Sequence, residues 1–428
     1  SPRLRRGMAS DQIDHKVQSP GGAGGYGVAS TLLTLMLLSA SPTQICAQDR
    51  ELVLSDGQRM SASLASFDTQ AAAFTVDYLE FPCPWDNLVR WGVLAPREAR
   101  PTAVLRDGSV VVASAAWTRS GSIALSADQW SIASDAFRSI QLPRGSVRAV
   151  WFAAAGEQPQ WSKVRSDSAG FSGQEDRVWL TSGDVLNGRL LKIDARSLEL
   201  QVAGESVAIE QKQAAAVALS GSSQPATSAM AVGLTDGSLL YASDASLSKQ
   251  SLRITLTQDN VALAGAAEAL ALLQPFGERV TYLSDLTPID FRHTPYLTVT
   301  WPLARDRALS GGVLQSGGKR FLKGLAMHSA SRAVYRLEGD YRRFESEVAI
   351  DQDAGDAKPG GSVVFRVYLA RESGFEQAWE SPIVRSGDRP LRVSLDVTGA
   401  RAIALLADYA DYGDQQDHAD WLEARLVR

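Results

Sequence analysis

Four short segments share the pattern Leu-x-x-Gly: Leu54-Ser-Asp-Gly57, Leu105-Arg-Asp-Gly108, Leu180-Thr-Ser-Gly183 and Leu234-Thr-Asp-Gly237. An alternating apolar stretch leads into each and another leads out, the period-two pattern of half-buried strands. Asp-Gly between such stretches marks a hairpin, because Gly supplies the positive φ that a type I′ turn needs. The third copy carries Ser182-Gly183-Asp184, which serves the same geometry. Apolar positions then recur at fixed offsets: Ile123, Leu198 and Leu252 lie 18 residues after their leucines, and Val207 and Val261 lie 27 after. A return strand follows at Val217 and Leu270, while the first copy is the most worn, with Phe74 at offset 20. Fixed offsets mean duplicated units. The starts lie 51, 75 and 54 residues apart, so each unit holds four or five short strands, the density of a small SH3-like or Sm-like barrel.

Breaks in this pattern set the organisation. Residues 48–151 hold repeats one and two, 152–176 form an Ala-, Gly-, Gln- and Ser-rich linker, and 177–277 hold repeats three and four. Trp85, Trp91, Trp117, Trp130, Trp151 and Trp179 are expected in cores or between barrels, because no basic-aromatic stripe accompanies them. The net charge of −5 and the lack of a basic run exclude nucleic acid as a partner. Hydrophobic residues at 45% and charged residues at 21% describe a packed chain, not a disordered one.

Residues 1–47 read as an export leader. Val28–Leu38 is an apolar run of 11, and Ile45-Cys46-Ala47 supplies a small-residue cleavage site. A helix of that length rises about 16 Å, too short for a bilayer core of roughly 30 Å, so no transmembrane segment is expected in the mature chain. The expected location is periplasmic or extracellular. Cleavage after Ala47 leaves Cys83 as the one cysteine and no intrachain disulfide. The formal GxGxxG over Gly22–Gly27 follows no strand and carries no nucleotide reading.

From about Tyr282 the texture changes. Strands are expected at Tyr296–Trp301, Ala333–Leu337, Phe344–Ile350, Val363–Leu369, Pro382–Val384, Leu391–Asp396 and Ala402–Ala407. This many short antiparallel strands without a helical period indicate a β-sandwich or jelly roll over 278–428. Six ordered motifs carry a resemblance: Leu283-Ser-Asp-Leu286; Phe321-Leu-Lys-Gly-Leu-Ala-Met-His328; Tyr335-x-Leu337 with Gly339-x-Tyr341-x-x-Phe344; Val348-Ala-Ile-Asp351-Gln-Asp353; Gly361-Ser-Val-Val-Phe365; and Asp417-His418-Ala-Asp420-Trp421 with Ala424-Arg425-Leu426. The segment resembles the NPCBM family, the putative carbohydrate-binding module of glycosyl hydrolase family 98 type. It departs from that family in Ala326 and Ala349, where Gly is usual. The resemblance implies a galactose-binding-like jelly roll, often joined to secreted glycosidases and sometimes associated with calcium.

A sugar site needs a flat aromatic for the C–H face of the ring and polar groups for the hydroxyls. His328, Trp379, Asp420 and Trp421 are the candidates. Asp351, Asp353 and Asp414 are candidate ligands for a structural Ca2+, since Asp351, Asp353 and Asp356 share a Gly-containing loop and Asp408 to Asp420 recur every three residues. Hard oxygen ligands on loops suit that ion. The second run is expected to be loop throughout, because Gly413 interrupts it and Asp disfavours strands. His418 beside Asp417 and Asp420 lacks a partnered nucleophile or a GxSxG elbow, so no catalysis is expected. The sequence therefore describes an exported, all-β, non-catalytic protein: tandem small β-barrels followed by a jelly roll that binds a glycan or polysaccharide. The alternative is a cell-envelope scaffold whose barrels and jelly roll contact protein partners.

Overall fold

In every copy the Leu-x-x-Gly segment turns the chain between the first two strands of a five-stranded unit, as the computed structural model of the chain shows. It describes residues 49–428 apart from 98, 116–120, 153–160, 223–226, 353–359, 373 and 412. The expected leader lies outside these, as does Trp117. Gly57, Gly108, Gly183 and Gly237 adopt φ of 89°, 93°, 97° and 85°. The turn itself is not type I′. The two residues before each Gly stay out of the left-handed region, the Gly N–H donates to the Leu carbonyl, and the Leu N–H donates to the carbonyl after the Gly. That is a type I turn closed by a glycine bulge. The Asp residues favour it, because Oδ1 of Asp56, Asp107 and Asp236 accepts the N–H two residues on at 2.8–2.9 Å. Primed turns occur elsewhere, at Asp77-Tyr78 and Lys249-Gln250, where both residues have positive φ.

Unit one pairs Arg50–Leu54 with both Arg59–Phe67 and Leu88–Gly92, and runs on from Arg59–Phe67 through Ala71–Val76 to Leu79–Pro84. Units three and four repeat these pairings, and unit two repeats all but the link between its second and third strands, which flank residues 116–120. A single 3-10 turn precedes each last strand, at Trp85–Asn87, Arg144–Ser146, Gln211–Gln213 and Ala267–Ala269. Among the described residues the path within each unit stays open, so units one, three and four are five-stranded sheets and closure into barrels is not seen.

The units pair within the chain. Val147–Trp151 of unit two lies antiparallel to Ala214–Ala218 of unit three, and Leu88–Gly92 of unit one to Leu270–Pro275 of unit four. Last strands thus cover one another's edges. Units two and four meet turn to turn: the Val112 N–H donates to Ser238 Oγ and the Tyr241 N–H to Ser109 Oγ, both at 2.9 Å. Ser109 and Ser238 occupy the same position of the repeat, so this contact is two-fold in character. The expected linker contains a helix, Ser162–Ala169. It packs onto Trp151, Phe171 and Trp179, and Ser168 Oγ accepts from the Trp151 indole at 2.9 Å. Trp91 and Trp130 are fully buried, as expected for core residues.

The C-terminal segment is a two-sheet antiparallel sandwich. One sheet orders Ala304–Arg305, Gly324–His328, His418–Val427, Arg343–Ile350 and Leu391–Asp396. The other orders Asp290–His293, Ser331–Arg336, Ala402–Tyr409, Ser362–Arg371 and Gly374–Glu380. Phe344, Val348, Phe365, Val367 and Trp421 fill the space between them. Two expectations fail. Residues Tyr296–Trp301 form loop, since they hydrogen-bond into neither sheet. Asp408 and Asp420 lie in strands, because strand pairing and burial there outweigh the low β-propensity of Asp.

Unit one is joined to the sandwich by charge. Arg90, 3% exposed, donates to Glu423 at 2.6 Å and Glu51 at 2.7 Å. Arg59 pairs with Glu347 and Lys319 reaches Glu51 at 3.1 Å, while Arg425 reaches Glu345 at 2.6 Å within the sandwich. Gly57 is needed here, since a Cβ on it would stand 2.6 Å from Glu345 Oε1.

Candidate functional site

The strand pairing places His328 directly opposite His418, and Ala326 opposite Asp420. In a sheet, opposed residues share a face. His328, His418 and Asp420 therefore lie together on the outer face of the first sheet, away from the core. Asp420 is fully buried there, between Ala326 and Ala349 of its two neighbouring strands. These are the two positions where the motifs carry Ala for Gly.

The loop after His293 folds over this face. Trp301 stacks flat on His328, with ring centroids 5.0 Å apart and planes at 3°. His418 approaches the same indole at 5.6 Å, and His293 meets His328 edge-on at 5.7 Å. The Trp301 N–H donates to His293 Nδ1 at 3.1 Å, which fixes the loop. One face of the half-buried Trp301 is covered by His328. Tyr296 and Tyr409, both exposed, meet each other edge-on at 6.1 Å. Gly413 approaches Tyr296 closely enough that a Cβ there would touch the ring at 3.7 Å.

Burial, with help from His418, pushes His328 down to about 4 although Asp414 pulls the other way. Burial also lowers His293 and His418. All three imidazoles are thus neutral at pH 7, and a neutral imidazole offers one donor and one acceptor. Beneath them burial raises Asp417 to about 6, against hydrogen bonds from Ser329 and the Ser362 N–H. A flat indole next to uncharged imidazoles is suited to an uncharged polyol, not to an ion.

The other expected residues lie elsewhere. Trp421 has no exposed surface and packs edge-on against Phe365 at 5.3 Å, so it serves the core and cannot meet a sugar. Trp379 sits on the edge strand of the second sheet opposite the one that carries His293, four strand spacings or about 19 Å away. Its ring packs on the core. Asp351 accepts the Gln315 N–H at 3.1 Å, and Asp353 lies outside the described residues. Among the described residues no three His, Cys, Asp or Glu side chains converge as a metal centre, and the expected calcium set, with Asp353, extends beyond those residues. Sequence reading missed Trp301, His293, Tyr296 and Tyr409. The Trp and His density between 291 and 301 was the available signal.

Residues 279–427 match the NPCBM/NEW2 domain family, and the chain carries that domain at its C-terminal end. Alpha-1,3-galactosidase B of Akkermansia muciniphila is 34% identical over 120 residues, which is 28% of this chain and 14% of that protein. The chain therefore spans a small part of that relative. Two solved structures from Clostridium perfringens are similar. One holds the CBM51-2 and INT domains of ZmpB in complex with GlcNAc, at 29% identity and TM-score 0.32, covering 42% of this chain and 36% of that one. The other is CBM51 of GH95 in complex with methyl-galactose, at 24% identity and TM-score 0.30, covering 35% and 99%. Among the described residues no helix is long and apolar enough to cross a membrane.

Proposed function

We propose that this chain is an exported, non-catalytic glycan-binding protein whose C-terminal sandwich takes a neutral sugar on Trp301. The carrying observation is the half-buried Trp301 stacked flat on His328, within a segment that matches the NPCBM/NEW2 domain family. Trp301 supplies the stacking face. His293 and Asp414, both half-buried beside it, supply hydrogen bonds to hydroxyls. The four units and the helix mount the module rigidly through the Arg90–Glu423 seam. The sugars held by the two Clostridium structures, GlcNAc and methyl-galactose, are the first ligands to test.

Isothermal titration of the whole chain with methyl-galactose and GlcNAc, followed by a glycan array, tests this reading. Trp301→Ala should weaken binding at least roughly tenfold, the value of one lost stacking contact, while Trp379→Ala leaves it unchanged. A folded Trp301→Ala variant that binds as tightly as the parent would sink the assignment.

A further inference from the structure

In each repeat unit the strand before the 3-10 turn pairs with one neighbour and leaves its other edge open among the described residues: Leu79–Pro84, Arg138–Pro143, Glu205–Glu210 and Ala262–Ala266. In unit three the Gln211 N–H donates to the Arg196 carbonyl on the paired side. The alternation of an antiparallel ladder then turns the N–H and C=O groups of Ser206, Ala208 and Glu210 to the open side. Counted back from the 3-10 turn, the same positions hold Pro82 and Pro84 in unit one and Pro143 in unit two, which have no N–H to offer a further strand. The Glu210 N–H is taken by Gln213 Oε1 at 3.3 Å. Ser206 and Ala208, both exposed, keep theirs. Unit four also has an open ladder, but its core-face residue Leu263 is 6% exposed, as Ile140 of unit two is 1%. In unit three that position is Val207, opposite Leu200 and 38% exposed. Open donors and an uncovered apolar residue thus coincide on one edge.

We propose that Glu205–Glu210 pairs antiparallel with the same strand of a second copy of this chain, about a two-fold axis at Val207. The strand is complementary to itself. Ser206 of each copy stands opposite Ala208 of the other, which uses all four open N–H groups on four carbonyls. Between them the two Val207 side chains meet as a non-hydrogen-bonded pair, the arrangement in which opposed side chains come closest. Each valine covers the other. Glu205 then faces Ile209 and Glu210 faces Gly204, so no like charges oppose. Units within one chain already join by antiparallel strand pairing, and this contact extends the same device between chains. It is smaller than a permanent interface, so the dimer forms reversibly and at high concentration. The pairing does not rest on the Trp301 reading. If both hold, a dimer carries two platforms and gains avidity on a repeating ligand.

Sedimentation equilibrium of the whole chain from roughly 10 µM to 1 mM tests the contact. The weight-average mass should rise with concentration towards twice that of the monomer. Ala208→Pro gives unit three the residue that unit one carries at that position, Pro82, so an edge strand of this kind accommodates it. It removes two donors per dimer and should weaken association roughly tenfold or more. Val207→Lys sets like charges opposite each other and should do the same. Ala264→Pro, on the open ladder of unit four, should leave association unchanged. Circular dichroism and the unfolding midpoint check each fold, and Val207→Lys serves if Ala208→Pro misfolds. A chain that stays monomeric to about 1 mM, a dimer that the folded unit-three variants leave intact, or one lost on Ala264→Pro alone overturns the proposal.

Discussion

Replacing Arg90 by Met should cost about 3–5 kcal/mol, the usual consequence of removing one partner from a buried ion pair. The structure gives the reason. Arg90 is 3% exposed and donates to Glu423 at 2.6 Å, to Glu51 at 2.7 Å and to the Gly92 carbonyl at 2.7 Å. After substitution Glu423, itself buried, keeps only the longer Arg425 contact at 3.6 Å, so a carboxylate is left in a site that water does not reach. Glu51 suffers less, because Lys319 at 3.1 Å and Arg59 at 3.6 Å remain. The double variant Arg90→Met/Glu423→Gln should recover most of the loss, because the stranded charge is gone. Urea unfolding of the whole chain, followed by both near- and far-ultraviolet circular dichroism, measures the three values. A single-variant cost below about 1 kcal/mol would refute the reasoning, since it would mean that the pair is effectively solvated. Additive costs in the double variant would refute it equally.

Other perturbations have defined outcomes. Trp421→Ala should destabilise the sandwich by about 3–5 kcal/mol through the cavity it leaves against Phe365, read as a lowered unfolding midpoint with no direct loss of sugar contact. Gly92→Ala should part units one and four, because a Cβ there would lie 2.0 Å from the Ala271 carbonyl oxygen at a φ of +80°; size-exclusion and hydrogen exchange across Leu270–Pro275 would report it. In the sandwich, His328 is held down to about 4 and Asp417 up to about 6. Between pH 4 and 6 the unfolded chain gains a proton at His328 and the folded chain keeps one at Asp417, so their effects on stability oppose. His293 and His418 act in the same sense as His328, so His328→Gln should make stability rise less, or fall more, with pH than in the parent across that window, and an unchanged slope would contradict it. Glu51, which burial alone would raise, is drawn down to about 2 by Arg90 and Lys319. Its contribution is present above about pH 4.5 and is lost as pH falls towards 2, which Glu51→Gln should abolish.

The repeats were legible because a turn glycine and its leucine are local signals, and the offsets between strands hold across copies. The turn type was misread because Asp56, Asp107 and Asp236 act through their own side-chain bonds to the backbone, which dipeptide rules do not weigh. Which units pair was not readable at all. The last strands Leu88–Gly92, Val147–Trp151, Ala214–Ala218 and Leu270–Pro275 are all short apolar edges, and the choice between them is made in three dimensions. The family motifs located the sandwich because they lie in its strands and strand ends. They pointed to Trp421 for the same reason: it is a motif residue since the core needs it, whereas Trp301 stands outside every motif on a loop that alternation mimicked as a strand.

The pairing order of the repeats has a consequence for synthesis. Units two and three can cover each other's edges as soon as both have emerged, but Leu88–Gly92 must wait for Leu270–Pro275. At ribosomal rates that wait is on the order of ten to forty seconds. Throughout it the Trp91 strand shows an unpaired ladder, which invites a second nascent chain to take the place of unit four. Slower translation between the third and fourth units would lengthen that exposure without altering one contact of the finished molecule.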